Sequence, residues 1–376
     1  MNYIFTLFEG INYRLIMAEK SENIEINLKR GFMRTNIKKT IGTLVLACSC
    51  AFSGMMAQAN SELDKAPTEA KAFASYMHKK HGFTEDYVQM ILDKVEVRQS
   101  ILDAISRPAE GKDWYEYRPI FIEQKRIKQG VEFWLEHEDI LMRAEEKYQV
   151  PAEIITAIIG VETRYGRVMG SFPVIDAIAT LAFHYPKRGA FFAGELEQYF
   201  VLARDQGWDL AKPKGSYAGA MGMGQFIPTS YRHYAVDFDG DGNINLFDNI
   251  EDAVGSVANY FHVHGWKMGE PVAEYLPTPD VKLVEQFRND TLKPKFTLGE
   301  MKQSGFEYQG PLKDSDIVGI YAFKQESKEE YWLGFNNFYV ITRYNRSPLY
   351  AMAVHQLSLE IKDAVEHARQ SSVKAD

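Results

Sequence analysis

The chain has 376 residues, 45% of them hydrophobic, which is enough to bury a sizeable core and long enough to divide into subdomains. Its 43 Lys and Arg stand against 51 Asp and Glu, a formal charge of −8, so no basic excess argues for a nucleic-acid partner. The two cysteines, Cys48 and Cys50, sit together near the N-terminus, so no disulfide framework holds the rest.

In chain order, Lys29, Arg30, Arg34, Lys38 and Lys39 precede an apolar stretch from Ile41 to Met56, and the small residues Ala57-Gln58-Ala59 follow. This is the layout of a secretion signal. Met33 opens a compact signal of its own, which makes residues 1–32 an upstream extension and sets residues 1–59 apart from the mature fold. Two other readings of the run stay open: a lone membrane anchor, for which it is short, and lipidation at Cys48, where Leu46 fits poorly at a position that favours a small residue. A polar linker over 60–69 leads to helical spacing in Ala70–His81, Glu85–Val97 and Gln124–Tyr148, a mainly helical block at 70–150. A further helix begins after Pro151, and Ile175–Phe183 and Gly189–Arg204 read as helices too. From Leu276 the texture changes. Val281–Phe287, Asp316–Phe323, Glu330–Leu333 and Phe338–Thr342 favour short strands between Gly, Pro and charged turns, a small β-containing block at 276–340. Residues 341–376 return through Arg343 to a last helix, Pro348–Arg369. The fold class so read is α+β, predominantly α.

The chemistry concentrates in three places. Glu162 closes the apolar run Ile154-Ile155-Thr156-Ala157-Ile158-Ile159, within Gly160-Val161-Glu162-Thr163-Arg164-Tyr165-Gly166. A carboxyl emerging from a hydrophobic helix holds its proton longer, as a general acid for glycoside cleavage must. Farther on, Gly215, Gly219, Gly222 and Gly224 punctuate a stretch ending in Gln225-Phe226-Ile227-Pro228, which strips side chains from backbone that a ligand must approach and leaves Ser216, Tyr217 and Gln225 as polar or aromatic groups. No Lys-Ser/Thr pair follows, so it is not a nucleotide P-loop. The third place is Asp237-Phe238-Asp239-Gly240-Asp241-Gly242-Asn243, with carboxylates at positions one, three and five, glycine at six and a carbonyl donor at seven. These are hard oxygen ligands in a tight loop and suit calcium. The twelfth position is Asp248 instead of the usual glutamate.

Taken together, Gly160–Gly166, Ser216–Pro228, Asp237–Asp252 followed by Gly255–Tyr260, and Thr342–Asn345 resemble the lytic murein transglycosylase B family of peptidoglycan lyases. The likeness runs from about Lys71 to the C-terminus. It implies a lysozyme-like catalytic core over 151–275, which includes the calcium loop. It also implies Glu162 as the sole acid/base, protonating the glycosidic oxygen between N-acetylmuramic acid and N-acetylglucosamine while the muramoyl C6 hydroxyl attacks C1. The product is a 1,6-anhydromuramoyl end. Binding roles fall on Arg188, Ser216, Gln225, Phe226, Tyr260, Tyr344, Asn345 and Tyr350, with Arg188 meeting a peptide or lactyl carboxylate. Lys187 stands where the family often has arginine and loses the planar two-pronged geometry.

The resemblance further implies a structural calcium ion held by Asp237, Asp239, Asp241, Asn243 and Asp252, with Asp248 and Glu251 as rivals for the closing ligand, and no cofactor for catalysis. Glycan strands are the implied partner, with cell-wall enzyme complexes and outer-membrane attachment open, in a periplasmic monomer. Two rivals remain on the residues themselves. A muramidase-type hydrolase needs a second carboxylate about 5 Å or 6.5–9.5 Å from the first, and Asp176 and Glu195 are the nearest by chain order, in segments that read equally well as helix surface. A peptidoglycan-binding module without chemistry would need no desolvated acid.

Overall fold

The computed structural model describes residues 65–106, 111–277 and 279–373; the expected secretion signal, both cysteines and residues 60–64 of the predicted linker lie outside them. Helices dominate: α1 (Ala70–His81), α2 (Glu85–Leu92), α3 (Gln99–Ile105), α4 (Trp114–Phe121), α5 (Gln124–Glu136), α6 (Glu138–Tyr148) and α7 (Ala152–Thr163) come first. Then follow β1 (Phe172–Pro173), α8 (Val174–His184), α9 (Gly189–Asp205), β2 (Lys214–Gly215), α10 (Pro228–Tyr234) and α11 (Ile250–Val263). The remainder is β3 (Ala273–Leu276), α12 (Val281–Phe287), β4 (Phe296–Thr297), α13 (Leu298–Gln303), β5 (Ile317–Lys324), β6 (Glu329–Gly334), α14 (Asn336–Tyr344) and α15 (Pro348–Val373). The architecture is α+β and predominantly α, as the sequence predicts. Among the described residues no helix is long and apolar enough to cross a membrane.

Helix α7 is the centre of the helical part. Of its residues only Glu153 escapes burial, and a helix that is apolar all round must be enclosed by others. It packs against α5, α6, α11 and the long α15. The helix stops because Arg164 and Tyr165 turn into the left-handed region at φ 58° and 61°, followed by Gly166 at 77°. The N–H groups of Arg164 and Tyr165 then bond back to the carbonyls of Gly160 and Ile159, a wrapped C-terminus. Gly160 makes this closure sterically feasible, since a Cβ there would stand 2.6 Å from the Tyr165 ring.

The spacing of Gln124–Tyr148 predicts one helix, but the structure has two. His137 leaves helical geometry at φ −122° and ψ 29°, and α6 restarts at Glu138. Helix α2 ends at Leu92, short of Val97, and the chain beyond is drawn onto α8 by the Glu96 and Arg98 N–H groups, which donate to Asp176 and Thr180.

The β-containing part is an antiparallel sheet of order β3-β6-β5-β4, with Tyr321 opposite Trp332 and Ile320 opposite Leu333. One strand, β3, begins three residues before the predicted boundary of this block. Two predicted strands are helices. Val281–Phe287 starts on Asp280, whose carboxylate accepts the Lys282 N–H, and buries Val284 and Phe287 while Val281 stays 69% exposed. That is the three-residue rhythm of a helix face, which a run this short cannot distinguish from a strand. Phe338–Thr342 lies inside α14, where Phe338 and Ile341 are buried on one face. The sheet's own core joins Val284, Phe287, Leu298, Met301, Val318, Ile320, Leu333 and Phe335.

Candidate active site and acidic loop

Glu162 sits in the last turn of α7 and keeps 9% of its surface exposed. Its Oε1 accepts a hydrogen bond from the Tyr350 hydroxyl at 2.6 Å, whereas Oε2 has no partner. Burial pushes the carboxyl up to about 8, against a smaller opposing effect of the Tyr350 bond, which favours the charged form. The side chain is therefore a protonated acid at neutral pH. Because Oε1 already receives a donor, the proton belongs on Oε2, a buried oxygen without a hydrogen-bond partner.

The helix end that carries this acid is fastened from several sides. Thr163 Oγ donates to the Met223 carbonyl at 2.8 Å, tying α7 to the glycine-rich stretch, and accepts the Gly166 N–H at 3.0 Å. The buried Arg126 donates from Nη1 to the Gly160 carbonyl at 2.5 Å, and the Tyr165 hydroxyl donates to the Arg126 carbonyl at 3.0 Å. A cation at a helix C-terminus meets the negative end of the macrodipole. Thr163 and Arg126 went unmarked in the sequence; Thr163 was within the motif, but nothing local announced Arg126, 36 residues before the acid.

The glycine-rich stretch folds into tight turns with bridges between Gly215 and Met221 and between Met221 and Phe226. Gly219 and Gly222 have φ near +78° and +69°, and a Cβ on either would strike Ile178 or the Leu246 carbonyl. Ser216 Oγ accepts the N–H groups of Ala218 and Ala220, so it shapes the loop. Gln225, itself at φ 52°, donates its amide to the carbonyls of Met169 and Gly222, which leaves the side-chain oxygen free.

Phe226, Tyr260 and Tyr344 form one aromatic cluster, with Tyr260 and Tyr344 centroids 4.7 Å apart and Phe226 5.9 Å from each. The Tyr344 hydroxyl donates to Gly224 and that of Tyr260 to Arg343, both at 2.5 Å. The charge of Glu162 reaches Tyr344 and Tyr350, and burial pushes both phenols far up. The structure thus brings Glu162, Tyr344, Tyr350, Phe226, Tyr260 and the Gly224–Gln225 backbone together. Tyr350 is fully buried, so it stands behind the acid and not on an open sugar platform. Asn345 is buried at 8% exposure. Two aromatic residues that sequence reading passed over join the group: His264 stacks on Tyr260 at 4.0 Å, and Tyr117 acts electrostatically on Tyr350.

Arg188 caps the start of α9 with its guanidinium 4.3 Å from the Phe191 ring centroid, and its Nε and Nη2 are buried without partners. Lys187 is exposed. Asp176 and Glu195 are each 5% exposed, so neither is the helix-surface residue their segments suggest. Asp176 accepts from Arg98 Nε and Nη2, and Glu195 accepts from the Thr229 N–H and hydroxyl. Both carboxylates are bound up in the fold, and neither contributes to the shift of Glu162.

In the acidic loop, ligand oxygens of Asp237, Asp239 and Asp252 lie within 4.8 Å of one another. Asp252 is completely buried and accepts the Phe238 and Asn245 N–H groups, each at 2.7 Å. Burial raises its pKa, and the Asp239 and Asp237 charges add to the effect. Three carboxylates gathered this way repel one another and fit a hard divalent cation. Asp241 is not part of that triad; its carboxylate accepts the Asn243 N–H at 2.7 Å. Of the rivals for the closing position, Glu251 is paired with Arg143 and Asp248 is exposed.

Comparison with known proteins follows the same lines. The Transglycosylase SLT domain family (SLT_2) matches residues 65–359. The membrane-bound lytic murein transglycosylase B of Escherichia coli (strain K12) is 44% identical over 298 residues, covering 77% of this chain and 81% of that protein. The soluble lytic transglycosylase SltB1 of Pseudomonas aeruginosa superposes with a TM-score of 0.74 at 50% identity, over 78% of this chain and 98% of that one. The E. coli lytic transglycosylase Slt35, solved in complex with calcium, gives 0.72 at 44% identity, over 80% and 94% of the two chains.

Proposed function

The chain belongs to the SLT_2 transglycosylase family, and from that premise we propose that Glu162 is the single acid/base of a lysozyme-like lytic transglycosylase that cleaves peptidoglycan glycan strands. The observation that carries this reading is the state of the carboxyl: buried, pushed up to about 8, held by Tyr350 at one oxygen and without a hydrogen-bond partner at the other.

Protonated Oε2 gives its proton to the glycosidic oxygen between N-acetylmuramic acid and N-acetylglucosamine as the C1–O bond breaks. The carboxylate that remains accepts the proton of the muramoyl C6 hydroxyl while that oxygen bonds to C1. One carboxylate thus serves twice, and the tethered hydroxyl replaces an activated water by its high effective concentration. A hydrolase needs a second carboxylate, and the two candidates are engaged elsewhere, Asp176 with Arg98 and Glu195 with Thr229. Tyr260 and Tyr344 offer the rings and phenol oxygens that suit sugars, with the fully buried Phe226 packed against them, and the family's binding roles extend to Ser216, Gln225 and Asn345. Tyr350 orients the acid. The unpartnered Nε and Nη2 of Arg188 form the fork that receives a peptide or lactyl carboxylate.

Asp237, Asp239 and Asp252, with Asp241 and the Asn243 carbonyl closing in, would hold a calcium ion of structural purpose, supplying charge neutralisation to the loop. We place the mature enzyme in the periplasm, attached to the outer membrane, on the strength of the secretion-type N-terminus and of the relative described as membrane-bound.

Glu162→Gln tests the assignment. The amide keeps the shape and still accepts from Tyr350 but cannot deliver a proton, so turnover of purified murein should fall by roughly 10²- to 10⁴-fold. A variant retaining about a tenth of parental turnover, well above that range, would remove Glu162 from the role.

A further inference from the structure

Glu195 is a buried carboxylate that the acid/base chemistry leaves idle. It follows Arg188 by seven residues at the start of α9 and so lies on the same helix face two turns on. Both of its oxygens are engaged: Oε2 accepts the Thr229 N–H at 2.9 Å and Oε1 the Thr229 hydroxyl at 2.7 Å. Thr229 is in the first turn of α10, immediately after the glycine-rich stretch. Arg188 shows the opposite condition, with the two parallel donors of its guanidinium fork, Nε and Nη2, buried and without hydrogen-bond partners. The charges of Glu195 and Arg188 act on each other, yet Glu195 does not fill that fork.

A buried guanidinium with no counter-charge is costly, and one paired through Nε and Nη2 has lost that fork for a ligand. We propose that Glu195 is a positioning residue that determines specificity: it supplies the counter-charge for Arg188 while Thr229 holds it off the guanidinium fork, which is thereby kept for a substrate carboxylate. This rests on the reading of Arg188 as a carboxylate receptor. The same counter-charge repels the incoming carboxylate, so Glu195 limits how tightly acidic ligands bind. Burial pushes Glu195 up to about 7, and its charge therefore fades as pH falls through neutrality. Other charges nearby are committed: Asp176 on α8 to Arg98, Arg232 on α10 to Gln198 and Asp205, and Lys80 and His81 on α1 to Glu197. From α10 the group facing Glu195 is the neutral Thr229.

The test compares two ligands on the full chain, a disaccharide muropeptide with free carboxylates and the same molecule with every carboxylate amidated, by calorimetric Kd. Glu195→Gln keeps the partnership with Thr229, because a hydroxyl can donate to or accept from an amide. It should bind the acid form on the order of tenfold tighter with no change for the amide, since one like charge has gone. Equal weakening of both ligands would mean a purely structural residue and would overturn the proposal. In the unaltered chain the ratio of acid to amide affinity should rise as pH falls from 8 to 6; a flat ratio overturns it as well, even where the variant fails to fold. Arg188→Ala isolates the underlying reading. If discrimination between acid and amide survives that change, Arg188 is not the receptor; if it vanishes while Glu195→Gln has no effect, only the role of Glu195 fails.

Discussion

Tyr350→Phe isolates the contact that sets the acid. The phenol is fully buried and its hydroxyl donates to Glu162 Oε1 at 2.6 Å, while Oε2 has no partner. Removing one oxygen atom leaves the ring packing in place and strips the carboxylate of that donor. A hydrogen bond to a charged group is worth about 1.5–3 kcal/mol, and each 1.36 kcal/mol moves a pKa by one, so Glu162 should rise by about one to two from its starting value near 8. The direction follows from the bond itself, which favours the ionised form. In a pH–rate profile of kcat/KM on soluble murein fragments, the alkaline limb should move upward. At pH 6 the acid is protonated in both proteins, and the loss there measures orientation alone, a fall in kcat of roughly 10- to 100-fold with KM nearly unchanged. An alkaline limb that stays put or moves down would refute the argument, as would a change confined to KM, which would return Tyr350 to the sugar-binding role.

Stability carries the same signature as activity. The folded state holds the Glu162 proton between 4.5 and about 8 while the unfolded chain releases it, so stability is lost as pH rises through that window. Glu162→Gln lacks this loss, and by pH 8 it should gain about 4 kcal/mol relative to its standing at pH 4, seen as a Tm difference that widens by ~6 °C; a difference independent of pH would contradict the buried-acid geometry. At the acidic loop, chelation should lower Tm while turnover at low temperature persists, because binding to the native state is linked to folding. Calorimetry showing one Tm with excess calcium and with chelator would count against the ion, and Asp252→Asn should abolish whatever shift calcium produces.

The legible parts of the sequence were those where chemistry and periodicity coincide locally. Glu162 stood out because an apolar helix ends on it, and the acidic loop because its carboxylates alternate. Neither predicted strand at Val281–Phe287 or Phe338–Thr342 formed, since short runs rich in Val, Phe and Ile fit a half-buried helix face as well as a pleat, and tertiary packing decided. The break at His137 has no Gly or Pro to announce it. What remained illegible was mostly long-range: Tyr350 meets Glu162 across 188 residues, Tyr344 reaches Gly224 across 120, and Glu195 meets Thr229 across 34. Such pairings are properties of how α7, α14 and α15, and likewise α9 and α10, pack. Spacing along the chain does not encode them.

The central claim is that one carboxyl and the substrate's own hydroxyl complete the reaction. Digestion of purified murein followed by mass spectrometry of the muropeptides tests it most directly. The products should be lighter by one water than their hydrolytic counterparts, each ending in a 1,6-anhydromuramoyl group, and all of them should be lost together in Glu162→Gln. Hydrated products with reducing muramic acid ends would contradict it, for they require water activated by a second carboxylate.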